Sequence, residues 1–171
     1  MDKTYADTVR LLLAVAPDVF ANDIFAMKGG TAINLFVRDM PRLSVDIDVV
    51  YLPWQTPRDE ALQAINQELA AIAARVAPLG VQTRLVRAKD LGDTKLIVEN
   101  DASQVKIEVN VVFRGSVLPV ERRALSARTS DLFGVEFELP VLAPDELYAS
   151  KLVAALDRQH PRDLFDVWQL F

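Results

Sequence analysis

Two aspartates separated by one residue, Asp46 and Asp48, stand where Ser44, Asp46 and Asp48 alternate with Val45, Ile47 and Val49. That is the period of a strand with one buried face, so both carboxylates would project to the same side. Two carboxylates on one face can share hard cations through oxygen ligands. One or two Mg²⁺ ions held there could bind triphosphate oxygens, lower the pKa of an attacking hydroxyl and neutralise charge on departing pyrophosphate. The same Asp-Ile-Asp pattern also suits an edge strand that merely turns its acids to solvent. Just upstream, Gly29 and Gly30 have no Cβ, so the backbone there can approach a phosphate while the following helix presents amide groups. Thr31 can add a hydroxyl donor, or act only as a helix cap or turn residue.

Further along, Lys106, Glu108 and Asn110 share a face opposite Val105, Ile107, Val109 and Val111. Glu108 could supply a third carboxylate, or be one acid on a solvated strand face. Lys151 is flanked by Leu147, Leu152 and Leu156, a setting for an amine reaching over a cleft from an apolar helix or for an ordinary exposed lysine. Asp163 and Asp166 fall one helical turn apart beside Arg162 and share a face. Asp166 could assist deprotonation or position Lys151; Asp163 could equally be a first-turn acid favoured by the helix dipole. Arg158 and Arg162 could steer an RNA phosphate or simply complement nearby acids. For Trp54 and Trp168, core packing or an interface is the favoured use over stacking on bases. His160, before Pro161, reads as a surface turn residue without a role.

These residues need a frame. Helical spacing runs over residues 4–16, and Pro17 is expected to end it. A buried strand at 24–27, a tight turn at 28–30 and helical spacing at 31–37 follow. After a polar bend at 38–43 comes the Asp46–Asp48 strand. Pro57 and Gly80 bracket a long Ala- and Leu-rich helix. Strands are expected at 81–86, 94–98 and 105–113, the last two an antiparallel pair turning at Asn100 and Asp101. Short extended segments at 118–120 and 135–141 precede one helix from Pro144 through Leu156 and another from Pro161 onward.

The 171 residues, 51% hydrophobic and 25% charged, suit one globular domain over 1–171. The absence of cysteine and the single histidine exclude disulfides, thiolate zinc sites and most histidine-based catalysis. A net charge of −5 argues against a uniformly basic nucleic-acid coat, although Arg38, Arg42, Arg158 and Arg162 could form a basic mouth on an acidic body. Apolar runs such as 11–16 fall far short of the roughly 20 residues that span a bilayer. With no secretory pattern at the N-terminus, a cytoplasmic protein and no membrane partner are expected.

Lys28, Gly29, Gly30, Thr31 and Ala32, then Arg42, Ser44, Asp46, Ile47 and Asp48, then the Lys151 helix and an ending with Arg162, Asp163 and Asp166, together resemble the AbiEii-type nucleotidyltransferases. These are toxins of bacterial abortive-infection, type IV toxin–antitoxin systems, and the likeness runs through almost the whole chain. It implies an α/β fold of the polymerase-β-like nucleotidyltransferase kind, a mixed central sheet flanked by helices. It implies Asp46 and Asp48 as metal ligands, with Glu108 as a candidate third. Lys28, Gly29, Gly30 and Thr31, with Arg42 and Ser44, would bind nucleotide, and Lys151 would meet triphosphate oxygens as a point charge. Asp46, Asp48, Lys151, Asp166 and Asp163 would form the catalytic set, Asp166 ahead of Asp163. Mg²⁺ or Mn²⁺, a nucleoside triphosphate substrate, tRNA as acceptor and an AbiEi-like antitoxin as partner complete the expectation. Many relatives continue beyond the position of Phe171 into further helices, expected to be absent from this chain. Two alternatives remain: an acceptor hydroxyl on a protein or small molecule, and a catalytically inactive nucleotide- or partner-binding module.

Overall fold

The computed structural model describes residues 3–87 and 93–171. The first helix, α1 (Lys3–Val19), buries Val9, Leu12, Val15, Ala16 and Val19 along its inner face. It runs past Pro17 rather than stopping before it. In the last turn the proline costs only one hydrogen bond, and the next turn still closes through Phe20 N–H to the Ala16 carbonyl at 3.2 Å.

Strand β1 (Phe25–Lys28) passes directly into α2 (Gly29–Ala32), and a π-helical turn over Ile33–Val37 continues it. The glycine pair is therefore the opening of the helix, not a turn ahead of it. Gly29 makes the reversal possible with φ of +77°, a region that side-chain-bearing residues rarely enter. Arg38 N–H closes the wide turn on the Ile33 carbonyl at 2.7 Å.

Strand β2 (Ile47–Tyr51) begins later than the alternation suggests, leaving Asp46 just ahead of it. Helix α3 (Arg58–Val76) ends in a short turn capped by Gly80, whose φ is +72°. Strands β3 (Gln82–Arg87), β4 (Asp93–Glu99) and β5 (Gln104–Asn110) form an antiparallel run. The β4–β5 turn is fixed by the Asn100 side-chain oxygen, which accepts from Ala102 and Ser103 N–H at 3.0 and 2.9 Å.

Residues 118–120 are not a strand. The strand lies just beyond as β6 (Glu121–Ala124), and it pairs with β7 (Glu138–Val141), shorter than the 135–141 segment expected. Between them, α4 (Ala127–Phe133) is capped by the Ser126 hydroxyl and by Gly134 at φ +66°. Helices α5 (Pro144–Arg158) and α6 (Pro161–Trp168) follow, each with proline in its first turn.

Among the described residues the sheet has seven strands in the order β3-β4-β5-β2-β1-β7-β6. It is mixed, with β2 parallel to β5 and β1 parallel to β7. Ile47, Val49, Leu96, Val98, Val105, Ile107 and Val109 form one buried face, and α1 and α3 pack against β5 and β4. The alternate residues of β2, β5 and β4 project to the other face, which carries the polar groups.

Candidate active site

Sheet register sets out the centre of the site. Lys28 on β1 is opposite Asp48 on β2, Asp48 is level with Glu108 on β5, and Glu108 is opposite Lys95 on β4. One row thus crosses four strands with two acids flanked by two lysines. Lys95 Nζ binds Glu108 Oε1 at 2.9 Å. Burial first, then the Glu108 and Asp46 carboxylates, push the Asp48 carboxyl up to about 6, against the pull of Lys28 and Lys151. Two carboxylates side by side on adjacent strands repel, and the nearby amines do not cancel the effect.

Above this row opens a cleft of about 820 Å³ lined by Lys28, Gly29, Asp48, Glu108, Lys151 and Arg158 among others. A Cβ on Gly29 would fall on the Asp48 carboxylate, and one on Gly30 would meet the Arg42 guanidinium and stand 3.2 Å from Ser44 Oγ. Glycine at 29 is demanded by the protein itself, through its left-handed φ and the Asp48 carboxylate against it, whereas at 30 a side chain would have to displace the Arg42 guanidinium from Asp166.

The remaining residues of the motif face inward. Thr31 is buried, its hydroxyl bonded to Ser44 Oγ at 2.9 Å and donating to the Asp46 carbonyl at 2.5 Å. It fastens the segment before β2 to α2 and is committed there, so its side chain is not a free donor toward the cleft. Asn34, unremarked in the sequence, is fully buried; it donates to the Gly30 carbonyl at 2.7 Å and accepts from Arg42 N–H at 3.2 Å. One buried amide on an otherwise apolar stretch was the available signal.

Arg42 grips Asp166 with two hydrogen bonds, Nε to Oδ1 at 2.6 Å and Nη2 to Oδ2 at 2.5 Å. Lys151 Nζ lies 3.1 Å from Asp166 Oδ2 and 2.9 Å from Asp163 Oδ1, and Arg158 Nη2 binds Asp163 Oδ2 at 2.9 Å. Both acids are buried, so α6 presents two carboxylates interleaved with three cations. Burial opposes the charge of Asp163, but Lys151 and then Arg158 outweigh it and hold its carboxyl below the usual range.

The sequence matches the family described as nucleotidyl transferase AbiEii toxin, type IV TA system, over residues 10–171. The chain belongs to the AbiEii family. Among solved structures it is similar to MenT4, a nucleotidyltransferase toxin of Mycobacterium tuberculosis, at 22% identity and a TM-score of 0.61. That likeness covers 96% of this chain and 59% of MenT4, and it establishes a shared fold. No curated protein matches the chain. The mixed-sheet nucleotidyltransferase fold expected of an AbiEii member is thereby found.

In this AbiEii chain, Lys28, Gly29, Asp48, Glu108 and Lys151 come together on the cleft, while Gly30, Thr31, Arg42, Ser44, Asp46, Asp163 and Asp166 do not line it. Among the described residues no three acidic or histidine side chains converge to hold a metal ion, and Asp46, Asp48 and Glu108 are not a ready-made cluster. Glu108 is turned to Lys95 instead. The donor chemistry nevertheless fits a hard divalent cation, since Asp48 carries charge that Glu108 and Asp46 oppose. Arg158 reaches the cleft whereas Arg162 does not. The His160 ring accepts from Arg162 N–H at 3.2 Å and caps α6. Neither tryptophan is a core residue: Trp54 is 62% and Trp168 is 66% exposed.

Proposed function

We propose that this chain transfers a nucleotidyl group from a nucleoside triphosphate to a hydroxyl of an RNA acceptor of the tRNA class, releasing pyrophosphate. It would do so as the toxin partner of an AbiEi-like antitoxin. The observation that carries the reading is Asp48, an acid on the floor of an open cleft, pressed by two other carboxylates and faced by Lys28 and Lys151. Asp46 and Asp48 would hold Mg²⁺ or Mn²⁺, with Glu108 joining on release from Lys95. The bound cation would supply Lewis-acid neutralisation of charge on the phosphates and the attacking oxygen.

The chain's own side chains do the rest. Lys28 and Lys151 meet the triphosphate as point charges. Gly29 keeps the backbone close to Asp48 without a side chain intruding. Arg42, Ser44, Thr31 and Gly30 build the wall behind the phosphates. Asp163 and Asp166 hold Lys151 in place, and with both Asp166 oxygens engaged by cations the residue serves as a positioning group rather than as a base. Among the described residues no helix is long and apolar enough to cross a membrane, and the proposed substrates belong to the cytoplasm.

The test is incubation of the purified protein with Mg²⁺, total tRNA and each α-labelled nucleoside triphosphate in turn, beside Asp48→Ala and Lys151→Ala. Label entering RNA with the intact protein alone is the expected result. Triphosphate binding without label in RNA would move the acceptor to a protein or small-molecule hydroxyl, and absence of triphosphate binding would remove the reading altogether.

A further inference from the structure

The cleft is not lined by charged residues alone. Past the strand ends, beside Arg114, Ser116 and Glu146, it is lined by Trp54 and Phe113, 62% and 72% exposed. Their position follows from the sheet. Asp48 and Glu108 are level on the parallel strands β2 and β5, which run on in the same direction to Tyr51 and Asn110. At a rise of about 3.3 Å per residue the end of β2 lies roughly 10 Å beyond Asp48. Trp54 and Phe113 therefore emerge from the same end of the pair, each a short step past its strand.

Both segments that carry the rings are held. The Asn110 side-chain oxygen accepts from Val112 and Phe113 N–H at 2.9 and 3.1 Å, fixing the turn at the end of β5. Gly115 N–H donates to the Tyr51 carbonyl at 2.7 Å, and Arg114 Nη1 to the Thr56 carbonyl at 2.7 Å, which ties the Phe113 loop to the turn bearing Trp54. The Glu146 carboxylate accepts from Val117 and Leu118 N–H at 3.1 to 3.2 Å. Gly115, at φ +82°, lies against the indole: a Cβ there would be 2.7 Å from Trp54 Cβ and 3.1 Å from Cδ1. The backbone segments that carry the two rings are thus fixed by hydrogen bonds, Gly115 leaves room for the indole beside it, and both rings remain largely exposed.

We propose that Trp54 and Phe113 form a stacking platform for a nucleobase, that of the incoming nucleoside triphosphate. The inference rests on the nucleotidyl-transfer reading of the same cleft. A nucleotide is charged at its phosphates and flat and aromatic at its base, and the cleft offers a partner for each: Lys28, Asp48 and Lys151 around the central row, and two aromatic rings past the strand ends, where Arg114 and Glu146 are engaged by the Thr56 carbonyl and by Val117 and Leu118 N–H. Stacking accepts any base and favours the larger ring, so all four triphosphates bind, purines more tightly than pyrimidines.

Binding to the full chain in Mg²⁺ without acceptor tests this, with ATP, UTP and inorganic tripolyphosphate as probes. In a Trp168→Phe background the emission of Trp54 reports alone; Trp54→Leu and Phe113→Leu are followed by calorimetry. ATP is expected to quench Trp54 and to bind on the order of tenfold more tightly than tripolyphosphate. Each leucine variant should remove most of that advantage while leaving tripolyphosphate affinity unchanged. Equal affinities for ATP and tripolyphosphate, with the leucine variants indistinguishable from the parent, would overturn the platform and leave nucleotidyl transfer standing. Equal losses for ATP and tripolyphosphate would show a structural role and overturn it too. If the variants weaken binding of a short RNA but not of ATP, the base belongs to the acceptor and the assignment fails. Should neither ATP nor tripolyphosphate bind, the nucleotidyl-transfer reading falls and the platform with it.

Discussion

Removing the Asp166 carboxylate should unlock the junction between the glycine turn and the C-terminal helices. Its side chain is 1% exposed, and it accepts two hydrogen bonds from Arg42, itself only 13% exposed, at 2.6 and 2.5 Å, with Lys151 Nζ at 3.1 Å. Breaking a buried ion pair by deleting one partner costs roughly 3–5 kcal/mol, because the remaining charge is left desolvated. Here the remaining cations keep other contacts: Arg42 to the Leu43 carbonyl at 2.8 Å and Lys151 to Asp163 at 2.9 Å. Asp166→Ala is therefore placed at the lower end, about 3 kcal/mol. With a urea dependence of about 2 kcal/mol per molar, the unfolding midpoint falls by about 1.5 M. A cycle of Arg42→Leu, Asp166→Leu and the double variant isolates the pair, with a coupling of about 1.5 to 3 kcal/mol expected. A midpoint shift below about 0.5 M, or additivity within about 0.3 kcal/mol, would refute the reasoning. Asp166 would then be free in solution and available as a base, contrary to its assignment as a positioning residue.

Gly29→Ala combines a left-handed φ of +77° with a Cβ that falls on Asp48; a stability loss of about 1–3 kcal/mol and loss of nucleotide transfer are expected, and transfer at the parent rate would show that the loop yields freely. The raised Asp48 pKa favours the neutral acid in the fold, so stability present below the ordinary carboxylate range is lost as pH rises toward about 6. The rise from 3.8 to about 6 corresponds to about 3 kcal/mol. Thermal melts from pH 4 to 7 should show this loss in the parent, a smaller one in Asp48→Asn, and a smaller one again in the parent with millimolar Mg²⁺; three identical profiles would contradict the site. Asp163 is the opposite case: its carboxyl is held low by Lys151 and Arg158, so its contribution is full above the ordinary range and disappears as pH falls through the depressed pKa. Asp163→Asn should lower the melting temperature at pH 7 and leave it nearly unchanged near pH 2, and an equal drop at both would assign the effect to packing instead.

Local signals carried much of this architecture. Proline at helix starts, glycine at helix ends and the Asn100 turn all act within a few residues, so α3, α5, α6 and the β4–β5 hairpin could be read directly. Helix α4 has caps that are local, Ser126 before it and Gly134 after it, but its seven residues are too few to display a helical period. Edge strand β6 was hidden because Glu121, Arg122 and Arg123 present no apolar run. Alternation also mistimed β2, since Asp46 fits the period but its carbonyl is occupied by Thr31. Long-range partners were the least legible. That Glu108 is level with Asp48, and paired to Lys95, depends on a parallel register no local pattern encodes. The packing of Gly115 against Trp54, sixty-one residues away in sequence, is likewise set by the fold and not by a local pattern.

Why the sheet tolerates its central row is a question of stability against function. Positions 48 and 108 are neighbours on interior strands, and an apolar pair there would bury well and lower no neighbour's stability. Instead, two carboxylates face each other, one of them raised to about 6, while the reverse face of the same strands is packed with Ile47, Val49, Ile107 and Val109. Everything around the row serves to keep it in place: Lys95 restrains Glu108, the glycine turn is pressed against Asp48, and the Arg42–Asp166–Lys151 network joins α6 to the loop. A local choice that opposes the fold, yet is braced by Lys95, by the glycine turn and by the Arg42–Asp166–Lys151 network, is where function rather than stability is expected to have set the residues. The same logic extends to the far end of the cleft, where Asn110 fixes the backbone of the Phe113 turn and Gly115 makes room for Trp54.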